Sequence, residues 1–302
     1  MSIHAHVSAA RQRLRDAGIT PTESDLDARL LAQHVLGWTT ERFLIDARLL
    51  AQHVLGWSAA RLLTHGDEPA SSQFQTEYES LVRRRAAREP LAYVTGVREF
   101  WNLDIEVTPA VLVPRPETEM LIEAALEHFE HDQALQIADV CTGSGCVVIG
   151  LGREFPRASL VASDISASAL AVARRNISRH DLESRIQCVR TDLLDDLPGP
   201  FDLIVANPPY VPTGDAADLQ PEVRQFEPPR ALFGGPDGLQ IVTRLIAQAP
   251  ESLGADGVFI FEFGVGQLDA VERTIARTAS LKLLEVRHDL QDIPRTAVVR
   301  RV

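Results

Sequence analysis

Strand and helix patterns alternate from residue 134 to the end of the chain, and this alternation constrains the fold more than any other feature. Seven short apolar runs predict strands over residues 136–141, 159–164, 185–190, 201–206, 257–263, 281–288 and 296–301. Strands separated by helical segments indicate a parallel, doubly wound α/β sheet. Too few residues separate the last two strands for a crossover helix, so we expect them to form an antiparallel hairpin at the sheet edge.

The first 92 residues predict a separate helical domain. Ser71 and Ser72 begin a segment in which Phe74, Tyr78, Leu81 and Val82 fall on one helical face. Positive charge crowds the end of this segment, where it suits the helix dipole, in Arg83, Arg84, Arg85 and Arg88. These arginines predict either a solvated basic helix end or a docking patch for an acidic or RNA-associated partner.

A tandem repeat lies within the helical region. Residues 27–45 and 46–64 match at 14 of 19 positions, and the run DARLLAQHVLGW recurs unchanged. Nineteen residues are fewer than the common helical repeats contain, so a recent duplication explains the pattern better than a solenoid does. It would lengthen a helix or add a helical hairpin, with Gly37 and Gly56 as the expected stop positions.

The residue pattern changes from helical to β-favouring after the helical region. Residues 93–101 and 103–107 are rich in β-favouring side chains and flank a turn, which predicts a β-hairpin linker over residues 93–113. Pro114 and Pro116 come next, and residues 117–129 predict a helix. Residues 114–302 then make up the predicted α/β domain.

Charge and cysteine content narrow the functional classes. The net charge of −12 disfavours broad nucleic-acid binding, which depends on neutralising phosphates. Three cysteines without a Cys-x-x-Cys spacing support neither a disulfide framework nor a zinc site, and no metal is expected. No apolar run resembles a signal peptide or a membrane span, so we expect a cytoplasmic protein that does not bind membranes.

A turn that contains two glycines follows the first strand of the sheet. Asp139-Val140-Cys141-Thr142-Gly143-Ser144-Gly145-Cys146 ends that strand and opens a helix. Small residues let a ligand approach the backbone, and the free N–H groups of a helix start favour polar or anionic atoms. A tight turn without a ligand is the alternative. Val148 stands where the third glycine of the dinucleotide fingerprint would be, which disfavours NAD.

Acidic residues end the next two strands. Asp164, nineteen residues past Gly145, can accept hydrogen bonds from both ribose hydroxyls of an adenosine, although alone it could equally cap a helix. Together with the glycine turn, ribose binding is favoured. Asp192 and Leu193, after the third strand, have the position from which such folds hold the adenine ring and its amino group.

The tetrapeptide Asn207-Pro208-Pro209-Tyr210 follows the fourth strand, at the end where open α/β sheets place ligands. Its prolines force an extended path and leave carbonyl groups without helical partners. A planar –NH2 group has two donors and a delocalised lone pair, so a site that activates it should accept both N–H bonds. The Asn207 side-chain oxygen and the Pro208 carbonyl can do so while Tyr210 packs on the planar face. A proline-rich turn is the plainer alternative.

This tetrapeptide resembles that of amino-methyltransferases acting on nucleic acids and proteins, and six mainly parallel strands with a reversed seventh resemble the Rossmann-like methyltransferase sheet. Other segments resemble the glutamine-N5 methyltransferase family that modifies peptide chain release factors: GVREFW at 96–101, VPRPETE at 113–119, QPEV at 220–223, Glu227-Pro228 and GGPDGL at 234–239. The resemblance covers essentially the whole chain.

The resemblance implies that a methyl group passes from S-adenosylmethionine to the glutamine amide nitrogen (N5) of the release-factor Gly-Gly-Gln loop, which tunes translation termination. Release factors are then the partners of a monomeric enzyme that binds no nucleic acid directly. The implied cofactor-binding residues are Cys141, Thr142, Gly143, Ser144, Gly145, Asp164, Asp192, Leu193 and Asn207. The implied substrate-binding residues are Asn207, Pro208, Pro209, Tyr210, Phe100, Arg115 and Glu117, of which Asn207, Pro208 and Tyr210 are catalytic.

Two departures from the family pattern leave alternatives open. Cys141 stands where the family usually has glycine, and the cysteine form resembles sister enzymes that methylate a glutamine of a large-subunit ribosomal protein. The duplicated helical unit is the second departure. Further from the family pattern, an adenine-N6 methyltransferase would meet the same planar –NH2 group, but it would need a basic recognition surface. A non-catalytic adaptor and an NAD-dependent dehydrogenase are the remaining alternatives.

Overall fold

The computed structural model describes residues 1–19 and 42–302, without the side chains of residues 42–45. Contacts divide the chain into two compact units: residues 1–96 with 221–226, and residues 97–220 with 227–302. The predicted domain boundaries after residues 92 and 113 stay predictions. By contacts, the predicted linker hairpin belongs to the second unit.

The first unit is helical. Its helices are α1 Ile3–Asp16, α2 Arg42–Leu55, α3 Ala59–His65, α4 Ser72–Ala86 and α5 Leu91–Thr95, together with the later segment Pro221–Phe226. The Ser71 side chain caps α4 by accepting a hydrogen bond from the Phe74 N–H. Of the apolar face predicted for this helix, Phe74, Tyr78 and Val82 are buried and Leu81 is half-buried. Gly56 ends α2 with a positive φ of 61°, as predicted for that position. The first copy of the repeat, with Gly37, lies almost wholly outside the described residues.

The cluster of arginines in α4 is only partly solvated, which corrects its first interpretation. Arg85 is fully buried, and its guanidinium contacts Asp46 Oδ2 at 2.6 Å and Glu222 Oε1 at 3.2 Å. Arg88 contacts the other oxygen of Glu222 at 2.8 Å. Burial of a charge requires such partners, so Arg85 belongs to the interior of the helical unit.

The second unit contains a seven-stranded sheet, which confirms the predicted Rossmann-like architecture. Its strands are β3 Gln136–Val140, β4 Ser159–Asp164, β5 Ile186–Arg190, β6 Phe201–Ala206, β7 Leu253–Glu262, β8 Leu281–His288 and β9 Pro294–Arg301, in the order β5-β4-β3-β6-β7-β9-β8. The strands β3 to β7 pair in parallel, and β9 pairs antiparallel with both β7 and β8. Near-continuous apolar runs in β3, β6 and β7 are buried, as expected of central strands covered on both faces.

The remaining elements of this unit precede and connect the strands. They are the hairpin β1 Val97–Phe100 and β2 Leu103–Glu106, the 3-10 turns Pro116–Glu119 and Thr213–Ala217, and the helices α6 Met120–His128, α7 Cys146–Glu154, α8 Ala167–Arg179, α9 Pro229–Leu232, α10 Gln240–Ser252 and α11 Leu268–Arg277. No helix among the described residues is both long and apolar enough to span a membrane.

Several element boundaries differ from the sequence expectation, and two of the differences have a clear physical reason. The run 93–96 was predicted as strand because its side chains favour β structure, but residues 93–95 belong to the short helix α5, in which Ala92, Tyr93 and Val94 are buried, and Gly96 caps that helix. Burial therefore overrides local propensity there. The first strand of the sheet ends at Val140 instead of Cys141, since Cys141 has a φ of 62° that no strand accommodates.

Candidate active site

A cavity of about 390 Å³ opens at the carboxyl ends of β3, β4 and β6 within the α/β unit. Three carboxylates from successive strand ends line it: Asp139, Asp164 and Asp192. This edge of a parallel sheet is where ligands bind in open α/β folds, because the connecting loops there leave the ends of the strands accessible.

The turn after β3 brings its backbone to the cavity wall. Gly143 has a φ of 55°, and a Cβ atom placed on it would meet nothing closer than the Cys141 carbonyl at 4.0 Å, so the space beside it is open. Gly145 also has a positive φ, but its missing side chain makes room for Ala173 of α8 at 3.3 Å. Gly143 therefore leaves room for a ligand, whereas Gly145 lets the start of α7 pack closely against α8.

Asp164 has the geometry expected of a ligand-binding carboxylate. Its Oδ2 accepts a hydrogen bond from the Gly143 N–H at 3.0 Å, and its Oδ1 accepts one from the Ser166 N–H at 2.8 Å. Burial raises the pKa of Asp164 above its ordinary value, against the opposing effect of these two backbone donors. Each carboxylate oxygen keeps a second lone pair, which can accept a ligand hydroxyl.

Asp139 is a second buried carboxylate, and sequence reasoning did not single it out. It is 1% exposed, and its Oδ2 accepts hydrogen bonds from the Thr142 hydroxyl at 2.5 Å and the Val148 N–H at 3.2 Å. Burial raises the pKa of Asp139 to about 7 despite these donors. The acidic position ahead of the glycine turn was the available signal for it.

Asn207 and Pro209 line the cavity from the end of β6. The Asn207 Nδ2 donates a hydrogen bond to the Thr118 hydroxyl at 2.9 Å. Thr118 in turn donates to Glu262 Oε2 at 2.7 Å, and the Tyr210 hydroxyl donates to Glu262 Oε1 at 2.8 Å. One buried carboxylate at the end of β7 thus holds two side chains of this corner.

The loop containing GGPDGL packs on the backbone of the Asn-Pro-Pro-Tyr segment. A Cβ on Gly234 would lie 2.4 Å from the Pro209 carbonyl oxygen, and one on Gly238 would lie 2.0 Å from the Tyr210 carbonyl oxygen. Gln267 closes the same corner by donating to the Tyr210 carbonyl at 2.9 Å. Contact with the tetrapeptide therefore requires glycine at 234 and 238, whereas Gly235 has a φ of 100° and lies against Gln240.

The structure brings most of the predicted site residues to one cavity. Those that line it are Arg115, Cys141, Thr142, Gly143, Ser144, Asp164, Asp192, Leu193, Asn207 and Pro209. Those that do not line it are Gly145, Phe100, Glu117, Pro208 and Tyr210. Phe100 is 2% exposed in the hairpin β1–β2, and Tyr210 directs its hydroxyl to Glu262. The roles of all these residues stay predictions.

Ion pairs hold two predicted residues at the cavity. Arg115 contacts the buried Glu227 at 2.5 Å, and Glu227 also accepts a hydrogen bond from the Val113 N–H. Asp192 contacts Arg244 of α10 at 2.8 Å. The pairing of Glu227 explains the Glu-Pro motif at 227–228, to which sequence reasoning assigned no role. Among the described residues, no cluster of His, Cys, Asp and Glu side chains could hold a metal ion.

Two family models match the chain. The PrmC N-terminal domain matches residues 44–96, and the methyltransferase small domain matches residues 118–222. A release factor glutamine methyltransferase of Geobacter sulfurreducens is 42% identical over 218 residues, which are 72% of this chain and 75% of that protein. The enzyme of the same name from Bradyrhizobium diazoefficiens is 40% identical over 96% of this chain and 92% of its own length.

Solved structures agree on the fold. A methyltransferase from Pyrococcus furiosus aligns with a TM-score of 0.52 at 17% identity, covering 72% of this chain and 98% of that one. At this level of identity, the similarity is evidence for the shared sheet architecture alone.

Proposed function

The chain belongs to the family of release factor glutamine methyltransferases, and we propose that it transfers a methyl group from S-adenosylmethionine to the N5 amide nitrogen of a release-factor glutamine. We further propose that this glutamine is the one in the Gly-Gly-Gln loop. The single observation that carries the chemistry is the orientation of Asn207. Its Nδ2 is committed to Thr118, so its carbonyl oxygen is the end left for a substrate N–H.

The chemistry of the cavity fits S-adenosylmethionine. That cofactor supplies a methyl group already activated by a sulfonium cation. The open space beside Gly143 admits ligand atoms next to the backbone, and Asp164 offers carboxylate lone pairs at the cavity wall. Two of the arginines that line the same cavity are held in ion pairs, Arg115 by Glu227 and Arg244 by Asp192. In this proposal Asp164 accepts hydrogen bonds from the ribose hydroxyls, and Asp192 with Leu193 borders the adenine.

The chain's own residues contribute positioning and hydrogen-bond acceptors. Asn207 Oδ1 and the Pro208 carbonyl accept the two N–H bonds of the substrate amide and hold its nitrogen in line with the methyl group. Orientation of this kind can supply up to roughly 7–11 kcal/mol in well-ordered sites. The amide protons become more acidic as the nitrogen bonds to carbon, so both acceptors bind the transition state more strongly than the ground state.

Two experiments test the proposal: identification of the methylated residue in the release factor, and removal of the hydrogen-bond acceptor of Asn207. Mass spectrometry of purified release factor after reaction with S-adenosylmethionine should show one methylated glutamine in the Gly-Gly-Gln loop. Asn207→Ala should lower kcat by on the order of 100- to 1,000-fold, as loss of one aligned transition-state hydrogen bond does. Calorimetry should show a much smaller change in cofactor affinity. An unmodified release factor would contradict the proposal.

Cys141 gives a reason to include a second substrate. The cysteine at this position resembles the ribosomal-protein glutamine methyltransferases, so the same reaction should be run with large-subunit ribosomal proteins. Methylation of a ribosomal glutamine at a higher kcat/KM than that of the release factor would make that protein the substrate. Both outcomes leave the amide chemistry of Asn207 unchanged.

A further inference from the structure

Glu262 is a buried carboxylate whose two oxygens each receive one hydroxyl group. It is 1% exposed at the last residue of β7, where Thr118 donates to one oxygen at 2.7 Å and Tyr210 donates to the other at 2.8 Å. Thr118 is 2% exposed and is the residue that Asn207 contacts. Glu262 is therefore one hydrogen bond away from Tyr210 and two hydrogen bonds away from Asn207.

The amide of Asn207 could point either way in the absence of this network. An asparagine side chain has a donor end and an acceptor end of nearly equal size, and only its hydrogen-bond partners decide which end faces which neighbour. Substrate activation needs the acceptor end, because the substrate nitrogen offers two donors. A flipped Asn207 would direct its own N–H groups at those of the substrate.

The hydroxyl of Thr118 can settle the choice because it carries a single proton. That proton is directed at Glu262, so toward Asn207 the Thr118 oxygen can only accept. An acceptor at that place selects the Nδ2 end of Asn207, as observed at 2.9 Å. The carbonyl end is then left for the cavity.

We propose that Thr118 and Glu262 are positioning residues that fix the amide orientation of Asn207: Glu262 holds the Thr118 proton, and Thr118 therefore accepts from Asn207 Nδ2. The inference rests on the proposed glutamine methylation. With its second oxygen Glu262 also holds Tyr210, which does not line the cavity and belongs to the same tetrapeptide as Asn207.

The mechanism requires the ionised form of Glu262. Burial raises the pKa of Glu262, as does Glu117, while hydrogen bonds from Thr118 and Tyr210 and the charge of Arg295 lower it. Burial and the neighbouring Glu262 carboxylate raise the pKa of Tyr210 well above its ordinary value, so this hydroxyl remains a donor. Protonated Glu262 could donate to Thr118 and free the Thr118 proton to bind the wrong end of Asn207. The rate should therefore fall as pH falls through the raised pKa of Glu262.

The experiment compares variants that change one hydrogen-bonding group at nearly constant volume. Thr118→Val removes the hydroxyl, and Glu262→Gln imitates the protonated acid. We expect each to lower kcat on release factor by on the order of 100-fold, with little change in S-adenosylmethionine affinity by calorimetry. Thr118→Ser keeps the hydroxyl and should keep most of the wild-type rate. Glu262→Gln should also lose the acidic limb of the pH–rate profile.

The matched control is Thr296→Val. Thr296 lies opposite Glu262 in the β7–β9 pairing and is fully buried, and its hydroxyl has no hydrogen-bond partner among the residues that the structure describes. Removing that hydroxyl should leave kcat unchanged. Equal losses in Thr118→Val and Thr296→Val would reduce the effect at Thr118 to packing and overturn the inference.

A double substitution separates positioning from folding. In the Asn207→Ala background, Thr118→Val should cause no further loss of kcat, because the side chain that it positions is already absent. A full additional loss would contradict the inference, as would wild-type kcat in Thr118→Val. Failure of the wild-type enzyme to methylate any glutamine would instead refute the proposed function, so the two failures are distinguishable.

Discussion

At the scale of single residues, Cys141 shows how the cofactor turn is built. The residue directly follows β3 and has a φ of 62°, in the left-handed region that glycine adopts most readily. This conformation would suit the glycine that the family pattern has at this position. A side chain is tolerated here at a cost in strain, and burial raises the pKa of the thiol well above its ordinary value, so we expect Cys141 to be unreactive.

The strain at Cys141 predicts an inverted order of stability. Cys141→Gly should be more stable than Cys141→Ala by about 1 kcal/mol, because only alanine keeps the Cβ atom that the left-handed conformation disfavours. At an ordinary position glycine is the less stable of the two. Urea denaturation of both variants measures the difference, and a more stable alanine variant would show that the turn is not strained.

A second residue-scale prediction concerns Asp139. Its pKa of about 7 leaves the carboxyl neutral below that pH and ionised above it. A cation bound in the cavity favours the ionised form, so S-adenosylmethionine affinity should rise from about pH 6 to about pH 8 with release of a proton. Calorimetry in buffers of different ionisation enthalpy detects that proton. Asp139→Asn should abolish the pH dependence, and an unchanged dependence would assign it to another group.

At the scale of elements, the loop 234–239 acts as a support for the tetrapeptide at the end of β6. Gly238 has a φ of 75° and lies against the Tyr210 carbonyl, while Gln267 at the start of α11 donates to the same oxygen. The Asn-Pro-Pro-Tyr segment is therefore held from behind by two other segments of the chain. In the sequence, the GGPDGL motif of this loop indicated the family but did not indicate its contact with the tetrapeptide.

Substitution of Gly238 tests whether the loop 234–239 holds the Asn-Pro-Pro-Tyr segment in place. Gly238→Ala should displace the Tyr210 backbone, because its Cβ would lie 2.0 Å from that oxygen. A misplacement of about 1 Å in a site costs on the order of 100-fold in rate, and we expect a loss of that size in kcat. Gly214→Ala is the control, since nothing lies within 4 Å of its Cβ position and its φ is not positive. Similar rates for both variants would refute the support.

At the scale of the whole molecule, the periodicity of apolar residues predicted the sheet. The side-chain contacts between residues distant in sequence could not be predicted in this way. Apolar runs and connection lengths gave seven strands and the final hairpin, because these depend on local pattern. Glu262 and Thr118 were missed because their partnership joins residues 144 positions apart. Arg85 was predicted wrongly for the same reason, since its buried partner Glu222 lies 137 positions away.

The duplicated unit allows a prediction about the whole chain. The buried core of the helical unit uses Ala47, Leu50 and Ala51 from the second copy, and the Tyr78 hydroxyl donates to the Ala47 carbonyl. The matching family model begins at residue 44. Deletion of residues 27–45 should therefore shift Tm by less than about 3 °C, which corresponds to under about 2 kcal/mol for a chain of this length.

Thermal unfolding and the methyl-transfer rate check this deletion, and both should stay close to the values of the full chain. Deletion of residues 46–64 leaves the other copy at the same place in the chain and should give a similar result, because the two segments are equally long and 14 of 19 residues coincide. A pronounced loss of stability or activity in the first deletion would show that the extra copy contributes to the fold.

The insertion of Pro221–Phe226 into the helical unit has a consequence for synthesis on the ribosome. Chains emerge from the N-terminus, and N-terminal domains ordinarily fold first. Here the buried guanidinium of Arg85 needs Glu222, which is translated 137 residues later. The unit that is begun first therefore cannot acquire its complete set of ion pairs until most of the sheet strands have also been translated. Until Glu222 is translated, the Arg85 guanidinium can pair with Asp46 but not with its second carboxylate partner.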